Sequence, residues 1–355
     1  MARSIYIASP NAGTGKSTVA LGLVSCLTKV VAKVGVFRPF VESREGDAFL
    51  SLLLNRAGST TPAEQCVGAT WDEFHADPEE ALARIVDAYR ALAREHDVVI
   101  IDGSDFTDVA GNPELALNAR VAANIGVPVL LVVSGQNDVE DVVASVEVSM
   151  AEIADNHART VAVVANKCLP ETRQAVGEAL TAIEGNTSTP LPEVPLLAAP
   201  VVREVLDAVE GTLIAGDETL LDREAESVLV CAMDVAHVLE RLTAGQLAIV
   251  PADRSAMPIS PMAAQASSSF PILSGLILNG GFEVAPHALR LLEGLDVNIP
   301  VITSPLDTFT AASAAGSLQG LLAHGSERKI DVAVTTFEHE ADVDALLSAL
   351  DVEPS

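Results

Sequence analysis

Ser4-Ile5-Tyr6-Ile7-Ala8-Ser9-Pro10-Asn11-Ala12-Gly13-Thr14-Gly15-Lys16-Ser17-Thr18 is a short β-rich run, a glycine-rich turn and the start of a helical pattern, in that order. Gly15-Lys16-Ser17 matches the last three positions of the G-x-x-x-x-G-K-[ST] phosphate loop, between strand and helix as that loop requires. Pro10 stands where the motif has its first glycine. Gly13 and Gly15 let the backbone turn its N–H groups inward, and the helix start at Ser17-Thr18 adds positive partial charge. Lys16 reaches outer phosphates, and Ser17 is a candidate Mg²⁺ ligand. Gly13, Thr14, Gly15, Lys16, Ser17 and Thr18 are therefore the first candidate nucleotide-binding residues. Lysine is scarce: only Lys16, Lys29, Lys33, Lys167 and Lys329 occur, which sharpens the meaning of one in the loop.

Outward from this unit, helical spacing runs from Ser17 to Val31, and short β-rich runs recur at Val34–Phe37, Val98–Ile101, Val127–Val133 and Thr160–Ala165. Helical stretches such as Pro78–Arg94 and Asp138–Ile153 separate them. This alternation predicts right-handed βαβ crossovers and an α/β fold with a parallel sheet. Prolines interrupt the pattern between Glu184 and Pro200, which cannot continue a helix or a central strand and predicts a domain boundary soon after. A smaller α/β pattern follows, with strands expected at Gln246–Val250, Ile272–Leu278 and Val301-Ile302 and a helix at Pro286–Leu292. Ser255–Ser269, rich in Ser, Ala, Pro and Met, reads as an exposed mobile loop. Glu327–Leu350 reads as two short amphipathic helical stretches.

The 355 residues carry 21 basic and 49 acidic side chains, a formal charge of −28. Such a field repels polyanions, which argues against a nucleic acid or an anionic membrane as partner. Hydrophobic residues reach 49% with only 3% aromatics, the Val, Ala, Leu and Ile palette of buried parallel strands. Cys26, Cys66, Cys168 and Cys231 lie far apart with no C-x-x-C spacing, as expected of reduced thiols in a cytoplasmic protein. No run approaches the roughly 18 apolar residues of a membrane span, and Ile5–Ala8 is too short for a signal-peptide core. His339-Glu340 lacks the second histidine of the zinc-protease pattern.

Further candidates stand at strand ends. Asp102 closes the apolar run Val98–Ile101, where a carboxylate can hold Mg²⁺, although an Asp-Gly turn explains it as well. Asp47 follows the second strand as another candidate Mg²⁺ ligand or as a helix-start carboxylate. Asn166-Lys167 ends the strand at Thr160–Ala165 like the pair that reads a purine base, except that Leu169 stands where that pattern has Asp. In the second region Asp253-Arg254 and Gly280-Gly281 each follow an expected strand, where open α/β sheets bind ligands or partners. They form a candidate effector pocket or subunit contact at one edge of the sheet.

Residues 1–205 resemble the dethiobiotin-synthetase-like P-loop domain through Gly15-Lys16-Ser17, Phe37-Arg38-Pro39, Asp102-Gly103 and Asn166-Lys167. Residues 206–325 resemble the DRTGG domain through Asp253-Arg254-Ser255 and Gly275-Leu276-Ile277-Leu278-Asn279-Gly280-Gly281. In this order they resemble the N-terminal half of long-form phosphate acetyltransferases, with residues 326–355 as a helical linker towards a catalytic domain that this sequence lacks. The resemblance implies a regulatory and assembly region that binds ATP or another nucleotide with Mg²⁺. It also implies a small-molecule effector, a homo-oligomer and a partner catalytic domain in the same or another chain. Acetyl transfer from acetyl-CoA to phosphate would belong to that domain. The alternative is a stand-alone ATP-dependent ligase of the dethiobiotin synthetase type. Arg38 in place of that family's lysine and Asp102 in place of its glutamate speak against ligase chemistry.

Overall fold

The computed structural model describes residues 2–104, 114–183, 187–254, 257–283, 290 and 298–349. Two compact units emerge: residues 1–193 with 331–355, and residues 194–330. By packing, the chain divides near 193/194. Of the closing stretch, described residues 331–349 pack with the first unit.

The first unit holds seven strands: β1 (Arg3–Ala8), β2 (Val34–Val41), β3 (Val67–Thr70), β4 (Val98–Asp102), β5 (Val129–Ser134), β6 (Thr160–Cys168) and β7 (Thr187–Pro192). They line up as β3-β2-β4-β1-β5-β6-β7, every pair parallel. β1, β4 and β5 are nearly continuous apolar runs because both faces of a central parallel strand are covered. β7 carries Pro190 and Pro192 inside the stretch read as strand-breaking. It pairs on one side only, at the sheet edge, where a missing N–H costs no ladder bond.

Helix α1 (Lys16–Leu27) follows the glycine-rich turn and is buried on nearly every face. Gly22 makes this possible: a Cβ there would stand 2.2 Å from the ring of Phe337, in the helix Glu327–Glu340. Helix α2 (Ala48–Arg56) begins at Asp47, whose Oδ1 accepts from the Leu50 N–H at 2.8 Å. That carboxylate satisfies an otherwise unpaired first-turn donor.

The second unit carries β8 (Thr212–Ala215), β9 (Ser227–Val230), β10 (Gln246–Pro251), β11 (Gly275–Asn279) and β12 (Val301–Thr303) in the order β8-β12-β11-β10-β9. β8 alone runs antiparallel. Alternation along β10 and β11 separates two cores: Ala248, Val250, Leu276 and Leu278 pack on one face, Leu247, Ile249 and Ile277 on the other. The segment expected as a mobile loop contains a helix, Ile259–Gln265, that buries Met262 and Ala264 against the first core. Pro261 falls in its first turn, where an N–H has no intrahelical partner to lose. The helix expected at Pro286–Leu292 lies, apart from Arg290, outside the described residues. Among the described residues no helix is long and apolar enough to cross a membrane.

Candidate functional site

The loop between β1 and α1 takes the shape that its glycines allow. Gly13 and Gly15 have φ of 76° and 83°, the left-handed region that a side chain resists. Gly15 caps α1 with no side-chain acceptor on the first-turn N–H groups. A helix start of this kind presents donors and positive partial charge to an anion. Thr14 and Thr18 are buried, and Ser17 is partly exposed at the first turn.

Lys16 points inward. Its Nζ lies 2.5 Å from Asp102 Oδ1 and donates to the Gly103 carbonyl at 2.5 Å, with both partners of the ion pair about 1% exposed at the side chain. Removing one member of a buried pair typically costs about 3–5 kcal/mol, so a phosphate that takes Lys16 has to offset the loss of Asp102. Arg38 continues the chain of charge. Its Nε lies 3.2 Å from Asp102 Oδ2, and its Nη1 donates to Asp47 Oδ2. The Phe49 ring lies 5.9 Å from the guanidinium carbon, within cation–π range.

Strand order explains this meeting. β2 and β4 are neighbours with Phe37 opposite Ile101, and β1 and β4 pair Ile7 with Asp102. Residue 38 therefore emerges beside residue 102 at the carboxyl end of the sheet. Arg38 was visible in the sequence only as a departure from a lysine. That it joins Asp47 to Asp102 follows from a strand order the sequence does not spell out. Tyr6 and Asn118 were also missed: Asn118 Oδ1 accepts from Tyr6 Oη at 2.7 Å and from the Ser104 N–H at 3.0 Å, fixing the exit of β4.

Asn166 and Lys167 do reach the loop, but from behind. Asn166 Nδ2 donates to the Thr14 carbonyl at 2.9 Å, and Lys167 Nζ donates to the Gly13 carbonyl at 2.7 Å. The β6–β7 register shifts between Ala165 and Cys168, and Lys167 has a φ of 62°. Bulges re-aim side chains in this way. The donor groups expected to read a base hold loop carbonyls instead.

The residues expected to hold Mg²⁺ do not fit that ion. Each oxygen of Asp102 faces a cationic side chain, and Asp47 divides its oxygens between Arg38 and the start of α2. Ser17 alone is left of the expected trio. Among the described residues no three His, Cys, Asp or Glu side chains converge as a metal site.

In the second unit β10 and β11 run parallel with Pro251 opposite Asn279, so the loops carrying Asp253-Arg254 and Gly280-Gly281 leave the same end of the sheet. Asp253 is exposed, and Arg254 Nη1 donates to the Ala232 carbonyl at 3.1 Å. Gly280 and Gly281 have φ of 102° and 68°, and their N–H groups donate to Leu306 and Ser304 carbonyls. Phe282 and Phe309 are exposed near that end, Phe309 by 81%.

Residues 3–205 match a family described as an AAA domain, and residues 204–318 match the DRTGG domain. The phosphate acetyltransferase of Nitratidesulfovibrio vulgaris is 29% identical over 367 residues, covering 99% of this chain and 52% of its own length. That of Synechocystis sp. is 25% identical with the same coverages, and that of Escherichia coli is 22% identical over 82% of this chain and 45% of its own. The chain spans about half the length of the curated relatives it matches and corresponds to their N-terminal part. Among solved structures, the MinD cell division protein of Aquifex aeolicus is similar at 17% identity, covering 55% of this chain and 84% of its own, with a TM-score of 0.37. A plasmid partition protein of Borrelia burgdorferi, bound to AMPPNP, has 15% identity, coverages of 55% and 86% and a TM-score of 0.40.

Proposed function

The chain belongs to the AAA-domain family of dethiobiotin-synthetase-like P-loop proteins and carries a DRTGG domain, and on that premise we propose that it is a nucleotide-binding regulatory region of a phosphate acetyltransferase. One observation carries the nucleotide part: two left-handed glycines bracket Thr14, and an uncapped helix start follows with Lys16 turned into the sheet end. That arrangement supplies backbone N–H groups around Gly13–Ser17 and an ammonium, the groups a phosphate chain requires. The chain has no catalytic role of its own in this reading. Acetyl transfer from acetyl-CoA to phosphate takes place in a partner catalytic domain, in the same or another chain, and nucleotide binding here sets its rate. The family's DRTGG domain speaks against the ligase alternative.

The loops at Asp253-Arg254 and Gly280-Gly281 form the second part of the proposal: a small-molecule effector pocket or a contact in a homo-oligomer, at work in the cytoplasm. Their shared sheet end supports it.

Calorimetric titration with ATP tests the first part. Wild type should bind saturably and Lys16→Ala should bind at least about tenfold more weakly, the loss expected of a charge-assisted contact to phosphate. Equal binding by both removes the phosphate-loop assignment. The chain alone should form no acetyl phosphate above a boiled control.

A further inference from the structure

We propose that the guanidinium of Arg38 takes the place of the divalent cation in this P-loop site, so that the nucleotide binds without metal. The inference rests on the nucleotide reading above and deepens it.

Four charged side chains form one line at the carboxyl end of the sheet: Lys16, Asp102, Arg38 and Asp47. Among the described residues, two cations face two carboxylates here. Arg38 and Asp47 are 13% and 14% exposed at the side chain, and Lys16 and Asp102 are closed off more completely. A Mg²⁺ ion requires near-octahedral oxygen ligands at about 2.0–2.1 Å and surrenders its water reluctantly. To reach Asp102 it would have to displace Lys16 or Arg38, and to reach the Oδ2 of Asp47 it would have to displace Arg38. Arginine cannot answer by losing its proton, as a lysine could, so displacing it leaves a permanent charge short of a carboxylate.

The geometry that disfavours the metal supplies what the metal would bring. Arg38 brings a fixed positive charge to the sheet end beside Lys16. A guanidinium offers five N–H donors in a planar fork that matches phosphate oxygens. Asp102 and Asp47 then act as positioning residues, holding the two cationic groups beside the loop until phosphate arrives. The register of Phe37 opposite Ile101 fixes residue 38 there, and the Phe49 face backs the guanidinium.

Calorimetric titration of the full chain with ATP, in excess EDTA and in excess Mg²⁺, tests this without any variant. Wild type should bind in EDTA with an affinity within about threefold of that in Mg²⁺, a difference below one tenfold step of binding free energy. Arg38→Ala should lose at least about tenfold in EDTA and less in Mg²⁺, since the freed carboxylates then admit the ion. Arg38→Lys, which keeps a cation but not the fork, should fall between them, with thermal melts confirming that both variants fold. Wild-type binding that collapses on chelation overturns the metal-free inference and leaves the nucleotide reading standing. An absence of binding in both buffers overturns the nucleotide reading, and this one with it.

Discussion

Gly15 answers two demands at once. Its φ of 83° belongs to the left-handed region, and a Cβ there would stand 2.1 Å from Asn166 Nδ2. Gly58, with a φ of 59°, meets nothing within 4 Å of the same atom. Gly58→Ala should therefore cost only the backbone term, about 1–2 kcal/mol for a left-handed L-residue. Gly15→Ala should cost that and the displacement of Asn166, and should also abolish nucleotide binding. The double variant Gly15→Ala with Asn166→Ala should recover the steric part alone. Urea midpoints of the three variants separate these contributions, and equal midpoints for Gly15→Ala and Gly58→Ala would refute the latch between Asn166 and the loop. Gly13, Gly15 and Lys16 were legible in the sequence because their roles are local, set by a turn and a helix start. The Arg38 bridge was not, because it needs β2 beside β4. The facing of Asn166 and Lys167 was not either, because it turns on a bulge in β6.

Among the elements, the helix Glu327–Glu340 shows how periodicity can be right about type and silent about placement. Its amphipathic pattern is plain in the sequence, yet nothing there says that Phe337 packs on Gly22. Phe337 is fully buried, and truncating a buried phenylalanine typically costs about 3–5 kcal/mol. Phe337→Ala should lower the stability of the full chain by that order, measured by denaturant unfolding. A linker helix would lose almost nothing. Glu338, next along, bonds Lys29 Nζ at 2.6 Å and Ser25 Oγ at 3.1 Å. These bonds, that to Lys29 foremost, hold its carboxyl below the usual value of 4.5. A depressed carboxylate stabilises the fold above its unfolded pKa, and the contribution is lost as pH falls through the folded one. Glu338→Gln should thus remove part of the acid-induced loss of stability below about pH 4.5 without changing its course at neutral pH. Identical pH profiles for wild type and variant would disprove the linkage. The same contrast between type and placement holds for Ile259–Gln265, where Ser and Pro hid a helix whose apolar side chains fill a core.

At the scale of the whole molecule, α/β class and parallel pairing were legible because buried strands leave continuous apolar runs, whereas the return of residues 331–349 to the first unit is a long-range contact with no local signature. The four cysteines give a property that spans both units. Cys26, Cys66, Cys168 and Cys231 are all buried, and burial above all pushes each thiol up from 9.0 to about 11. With a pKa there, only about one thiol in a thousand is ionised at pH 8, and the thiolate is the reactive form. Native protein at pH 8 should therefore show almost no reaction with Ellman's reagent over minutes, and four equivalents should appear once denaturant is added. The linkage has a definite sign: a thiol whose folded pKa is raised stabilises the fold fully below its unfolded pKa, and that stabilisation is lost as pH rises through the folded value. Stability should accordingly decline between pH 9.0 and about 11, in step with a rising rate of thiol modification. A rapid stoichiometric reaction of any one cysteine in the native chain at pH 8 would contradict its burial and the packing of the unit that encloses it.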